Sequence, residues 1–177
     1  AEAGAHGLEI FSVSVHLQGQ VLGDEPSAKT LPLIGGEALA AYAAWRGGGN
    51  EPPRQDPLFV PREVGEIMHR DALSAMLAAA RLARALSIVS DRRVPLPGFT
   101  GSPANCWSHW FLFPPLPGEI AGYAIADVRR RSLELLVERF APFLDYCRDS
   151  GLTFDLECHP GEVAMGDIES APVSYTH

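Results

Sequence analysis

The sequence lacks the features that announce a zinc finger, a nucleotide-binding protein or a membrane span. It has only three cysteines, Cys106, Cys147 and Cys158. They are widely spaced and include no CxxC pair, so zinc-finger spacing is absent and reduced thiols in a cytosolic protein are expected. No glycine-rich GxGxxG or GxxxxGKS/T segment follows a strand, which removes the nucleotide fingerprints. No run of about 18 apolar residues occurs, so no membrane partner is expected. No charged segment leading into an apolar one opens the chain, so no secretory signal is expected and the cytoplasm is the expected location. There is no repeat of fixed period and no low-complexity tract.

Basic charge is also short. The net charge is −8, with 14 Lys and Arg against 22 Asp and Glu. Such a surface repels a polyphosphate backbone, so no nucleic-acid partner is expected. The longest basic run, Arg129 to Arg131, reads as the solvated side of a helix. The length, 177 residues, suits one domain. The opening AEAGAHG reads as the end of a helix, and the closing ESAPVSYTH stops soon after a strand-like segment. The chain therefore reads as a piece truncated at both ends.

What is present is an alternation of strand and helix patterns. Leu8 to Val15 is a strand candidate, with Phe11, Val13 and Val15 on one face and Ser12, Ser14 and His16 on the other. Residues 19–61 are rich in Gly and Pro and hold a short helical stretch, GGEALAAYAAWRGGG. Pro61 and Arg62 open a long helix to about Leu86, with Val64, Ile67, Met68, Met76, Leu77, Ala80 and Ala83 at helical spacing. A short strand belongs in SIVSDRR or in VPLPGFTGSP, although prolines make VPLP a poor central strand. A second long helix spans about Ile125 to Asp149, and Pro142 should kink or split it. Leu152 to Cys158 is the last strand. Strands alternating with helices imply parallel pairing and an α/β fold. The expected architecture is a partial (β/α)8 TIM barrel, residues 1–177 as one domain, with parallel strands and outer helices.

In such barrels the chemistry sits at the carboxyl ends of the strands. Those ends carry His16 and Gln18, then Thr100 to Ser102, then Glu157 and His159. By alternation His16 and Glu157 lie opposite the bulky apolar residues of their strands and point inward. An inward carboxylate is costly unless it is paired or bound to a metal. Glu157 is therefore either an ion-pair partner or a group for metal or proton-transfer chemistry. Trp107, His109, Trp110, Phe111 and Phe113 read either as a lid over a sugar or as a small hydrophobic core under a loop. The candidate substrate contacts are His16, Gln18, Ser102, Trp107, His109 and His159.

The segment LTFDLECHPGEVAMGDIESA resembles a strand of the xylose-isomerase-like TIM-barrel proteins, the sugar phosphate isomerase/epimerase superfamily. There a hydrophobic strand ends in Glu, followed by His-Pro and then a Glu or a similar residue. PGFTGSPANCWSHWFLFPP and LEIFSVSVHLQGQVLGDE are similar to the two preceding strand ends. The resemblance implies a divalent metal (Mn, Mg, Co or Zn) held by two Glu, an Asp and a His. Of these only Glu157 maps onto this chain, as ligand and acid/base. It implies proton or hydride transfer beside the carbonyl of a sugar or sugar phosphate, with His159 on substrate hydroxyls. A homo-oligomer is possible.

The parent protein is then expected to be an isomerase or epimerase, and this piece alone to be inactive. The alternatives are a metal-dependent hydrolase or endonuclease on the same barrel, which the charge of −8 disfavours, and a catalytically incomplete fragment.

Overall fold

The computed structural model describes residues 2–26, 30, 33, 36–49, 62–102, 118–120 and 123–157. In chain order the elements are α1 (Glu2–Ala5), α2 (His16–Gly23), α3 (Gly36–Gly47), α4 (Arg62–Ser90), β1 (Leu96–Gly98), β2 (Glu119–Ile120), β3 (Tyr123–Ala124), α5 (Ile125–Asp149) and β4 (Phe154–Leu156). Of the described residues 66% are helical and 8% are in strands. The only parallel sheet among the described residues is the pair β1–β4, in register Leu96 to Phe154 and Gly98 to Leu156. β2 and β3 form a separate antiparallel pair. The expected partial TIM barrel is thus corrected: the fold is mostly helical around one small parallel pair.

The physical reason lies in the two prolines. The Val13 and Val15 N–H groups donate to the carbonyls of Pro95 and Pro97, at 3.1 and 2.9 Å, so residues 13–15 run beside β1 in the same direction. Proline has no N–H to return a bond. The ladder is therefore one-way on that side, and no strand forms over residues 8–15. Leu8 and Phe11 are left 64% and 65% exposed. Arg92 stacks its guanidinium 4.2 Å from the Phe11 ring centre and bonds the Ile10 carbonyl, which pins the segment at its lower end. On its other side β1 is unimpaired: Leu96 N–H donates to Thr153 O and Glu157 N–H to Gly98 O.

α4 buries the stripe Val64, Met68, Ala72, Met76, Ala80 and Ala83, as its helical spacing predicts. It packs on α2, α3 and α5. By length and composition alone it is long and apolar enough to cross a membrane, although no apolar run stood out in the sequence. α5 runs unbroken through Pro142, whose side chain faces solvent; the expected split does not occur. Its buried stripe, Val128, Ser132, Leu136, Phe140, Phe143 and Cys147, meets β4. There Phe154 lies edge-on to Phe143, with ring centres 5.4 Å apart, and beside Phe140.

α2 occupies residues expected to begin a loop, and it is seated unusually close to the chain after β1. A β-carbon added at Gly19 would run into the carbonyl of Phe99, and one added at Gly23 into that of Thr100. Both obstacles are backbone, which cannot swing aside. Gly19→Ala and Gly23→Ala should each lower unfolding stability by about 1–3 kcal/mol, the usual cost of overpacking. Urea unfolding with an unchanged slope measures it; stability within about 0.5 kcal/mol of wild type would show that the helix can lift off the loop.

Candidate functional site

His16 is the first residue of α2, and Glu157 follows the last residue of β4. The two elements are far apart in sequence. They meet because α2 rests on the Phe99 to Ser102 segment after β1, and β1 pairs with β4. His16 Nε2 stands 3.1 Å from Glu157 Oε2. On the other side of the ring, Ser14 Oγ is 2.6 Å from His16 Nδ1. The Phe99 ring packs edge-on to the imidazole, with centroids 4.5 Å apart.

The two hydrogen bonds set the direction of the protons. An ionised carboxylate can only accept, so Nε2 carries the hydrogen and donates to Glu157. In the neutral tautomer with its hydrogen on Nε2, Nδ1 accepts from the Ser14 hydroxyl. The imidazole is engaged at both nitrogens and walled on one side by Phe99. His16 is 26% and Glu157 62% exposed at the side chain, so both are reachable from solvent. Of the two readings open for Glu157, a partner is present: it is a histidine, and the contact is an ion pair only when that ring is protonated.

At the opposite end of α2 is a second polar group, which is buried. Arg139 of α5 donates to the carbonyls of Gly23 and Asp24, and His69 of α4 donates to that of Asp24 at 2.7 Å. A cation and an imidazole thus satisfy the orphan carbonyls of the helix end, where the helix dipole favours positive charge. Arg139 also pairs with Glu25 at 2.6 Å, and the Ser102 N–H donates to Asp24 Oδ1. Burial raises the Glu25 carboxyl to about 7, against the lowering pull of Arg139 and the weaker pull of Arg131. Burial also lowers His69 to about 4, and the charge of Arg139 adds to that, while its bond to Asp24 opposes it.

The expected site residues therefore fall into three groups. His16 and Glu157 come together. Ser102 is buried in the Asp24 cluster, and Gln18 is half-buried in the first turn of α2. Trp107, His109 and His159 lie outside the described residues, as do Trp110, Phe111 and Phe113. Sequence reasoning passed over Ser14, Phe99, Glu25, His69 and Arg139. A signal existed for two of them. His69 and Arg139 are half-buried beside the buried stripes of their helices, next to Met68 and Phe140, where a polar residue needs a partner.

As for a metal, Glu157 and His16 offer two donors. Among the described residues no group of three His, Cys, Asp or Glu could hold an ion. These residues alone do not make the expected four-ligand centre.

The buried pair of titrating groups fixes a pH response. His69 titrates lower in the fold than its ordinary 6.5, so its stabilisation is present above pH 6.5 and is lost as pH falls through about 4. Glu25 titrates higher than its ordinary 4.5, so its contribution is present below 4.5 and is lost as pH rises through about 7. The two oppose one another across the same window and flatten the wild-type profile. His69→Gln keeps a donor for the Asp24 carbonyl and removes one of them. Relative to wild type, the variant should gain up to about 3 kcal/mol between pH 6.5 and pH 4. Denaturant unfolding at both pH values measures it, and parallel profiles for the two proteins would refute it.

Compared with known proteins, the chain matches no family model and no curated protein.

Proposed function

We propose that the chain works as an isomerase or epimerase, moving a proton beside the carbonyl of a small sugar or sugar phosphate with Glu157 and His16. The observation that carries this reading is the 3.1 Å contact between two residues 141 positions apart, at the end of β4 and the start of α2. It pairs a solvent-reachable carboxylate with an imidazole whose two nitrogens are both engaged, the form in which enzymes place an acid and a base on one substrate. The likeness of LTFDLECHPGEV to the sugar isomerase strand supports the same assignment for Glu157, although the barrel expected with it is not the fold.

In this mechanism Glu157 takes the proton from the carbon next to the carbonyl through its outer oxygen. His16, whose Nε2 hydrogen points at the same carboxylate, steadies the anion and supplies a proton to the oxygen where charge develops. An enediol forms; Glu157 then returns its proton to the neighbouring carbon, or to the other face of the same carbon, as His16 takes a proton back from the enediol oxygen that becomes the carbonyl, which completes isomerisation or epimerisation and restores both side chains. The Phe99 ring beside His16 excludes water from one side of the imidazole.

Deuterium wash-in tests this. Aldoses, ketoses and their phosphates are incubated with the protein in heavy water, with and without Mg, Mn, Co or Zn. Label should enter the carbon next to the carbonyl. Glu157→Gln should slow that entry at least about a hundredfold, as the loss of an acid/base group does. The reading fails if no sugar takes up label under any of these conditions, or if Glu157→Gln leaves the rate unchanged.

A further inference from the structure

The hydrogen-bond chain at the site does not end at the imidazole. Ser14 Oγ, His16 and Glu157 form one connected series, Oγ to Nδ1 at 2.6 Å and Nε2 to Oε2 at 3.1 Å. In the neutral tautomer with its hydrogen on Nε2, the protons run in a single direction along it: the serine hydroxyl donates to Nδ1, and the far N–H of the same ring donates to the carboxylate. Proton transfer beside a carbonyl uses only the last two groups; the serine oxygen, which also accepts a long 3.5 Å contact from the His16 backbone N–H, has no part in it.

This order is the requirement for an activated alcohol. A serine hydroxyl is a weak nucleophile until a base within hydrogen-bond reach can take its proton as it attacks, and the base in turn needs a third group to orient it and stabilise its positive form. Recognition of such a set rests on geometry and roles rather than on sequence order or on which ring nitrogen faces the serine. Ser14 is also accessible: it is exposed, whereas Val15 beside it is fully buried. That burial matters, because Val15 anchors the backbone on which both Ser14 and His16 are carried, through its N–H bond to Pro97.

The backbone supplies a second requirement. Gly19 N–H to Val15 O is the first bond of α2. The N–H groups of Leu17 and Gln18 precede it and point toward the N-terminal end of the helix, where Ser14 lies. Donors of this kind, with the helix dipole behind them, suit an oxygen that gains negative charge during attack on a carbonyl.

We propose that Ser14 is a nucleophile that accepts acyl groups from activated esters, with His16 as its base and Glu157 as the group that holds the base. This goes beyond the isomerase reading and shares with it only the His16–Glu157 pair. Ser14 Oγ bonds to the acyl carbon as its proton passes to Nδ1, and the carbonyl oxygen becomes an oxyanion. The bond to the leaving oxygen then breaks, and that oxygen takes the proton from Nδ1. The acyl group remains as an ester on Ser14. Water attacks that ester with the same base, releasing the carboxylic acid and restoring the serine hydroxyl. The net change is an ester and water giving an acid and an alcohol, with no oxidant, reductant or further reactant.

The test uses 4-nitrophenyl acetate on the whole chain. Nitrophenolate release is followed in time, and acid-quenched samples are digested and mapped by mass spectrometry. The expected result is a burst of nitrophenolate with one acetyl group on the peptide carrying Ser14. Ser14→Ala should lose both burst and label, and should do so under conditions where denaturant unfolding shows the variant fully folded. His16→Asn should slow acetylation at least about a hundredfold, in line with the loss of a general base, with Glu157→Gln slowed to a smaller degree. Acetyl groups found only on Lys29, Tyr side chains or His16, or a Ser14 label whose rate ignores His16→Asn, would overturn the proposal. So would the absence of any label. Deuterium wash-in reads the sugar chemistry separately, so either idea can fail while the other stands.

Discussion

The fold hangs on the seating of one eight-residue helix against bare backbone. α2 carries the sequence HLQGQVLG, and its two glycines lie one turn apart on the face that meets the Phe99 to Ser102 segment. Without side chains there, helix and segment touch through main-chain atoms. Because β1 leads directly into that segment and pairs with β4, this single contact fixes where the start of α2 lies relative to the end of β4. The distance from His16 to Glu157 is a consequence of it. A looser contact would separate the two by more than a hydrogen bond's reach, since neither side chain is long enough to make up the difference.

The other end of the helix shows how the same seating is stabilised. Drawing α2 into the interior buries its terminal carbonyls, which need donors. Arg139 and His69 reach in from α5 and α4 to provide them, so the three helices are tied at one polar point. The cost is a charge inside the protein, and Glu25 offsets it at 2.6 Å. Desolvation then works against that carboxylate, holding its pKa high, while His69 stays neutral. The buried cluster thus serves as an anchor, and the exposed set at the other end of the helix is the one left to meet a substrate. This separation follows from helix polarity: the end rich in carbonyls turned inward, and the end rich in N–H groups turned toward solvent.

Parts of this were readable in advance. The spacing of Val64, Met68, Met76, Ala80 and Ala83 marks α4, and Phe154 and Leu156 mark the face of β4 that meets a helix. Alternation also put Ser14 and His16 on one face and Glu157 opposite Phe154. The barrel was not there to be read, because two prolines at 95 and 97 turn a strand partner into a one-way acceptor, and β propensity in LEIFSVSV carries no information about what its neighbour can donate. α2 was missed for a related reason. Its glycines read as loop residues, since helix propensity penalises them, and only the backbone pressed against them explains their presence.

The sequence by itself determined the local facts: two long amphipathic helices, a short strand ending in a carboxylate, an acidic chain without nucleotide fingerprints. Those follow from periodicity and composition, which are properties of neighbours along the chain. The tertiary structure decided which distant groups became partners. The pairings of His16 with Glu157, Arg139 with Glu25 and His69 with the Asp24 carbonyl all cross elements. Each depends on distances of a few tenths of an ångström that close packing sets and that no spacing along the chain encodes.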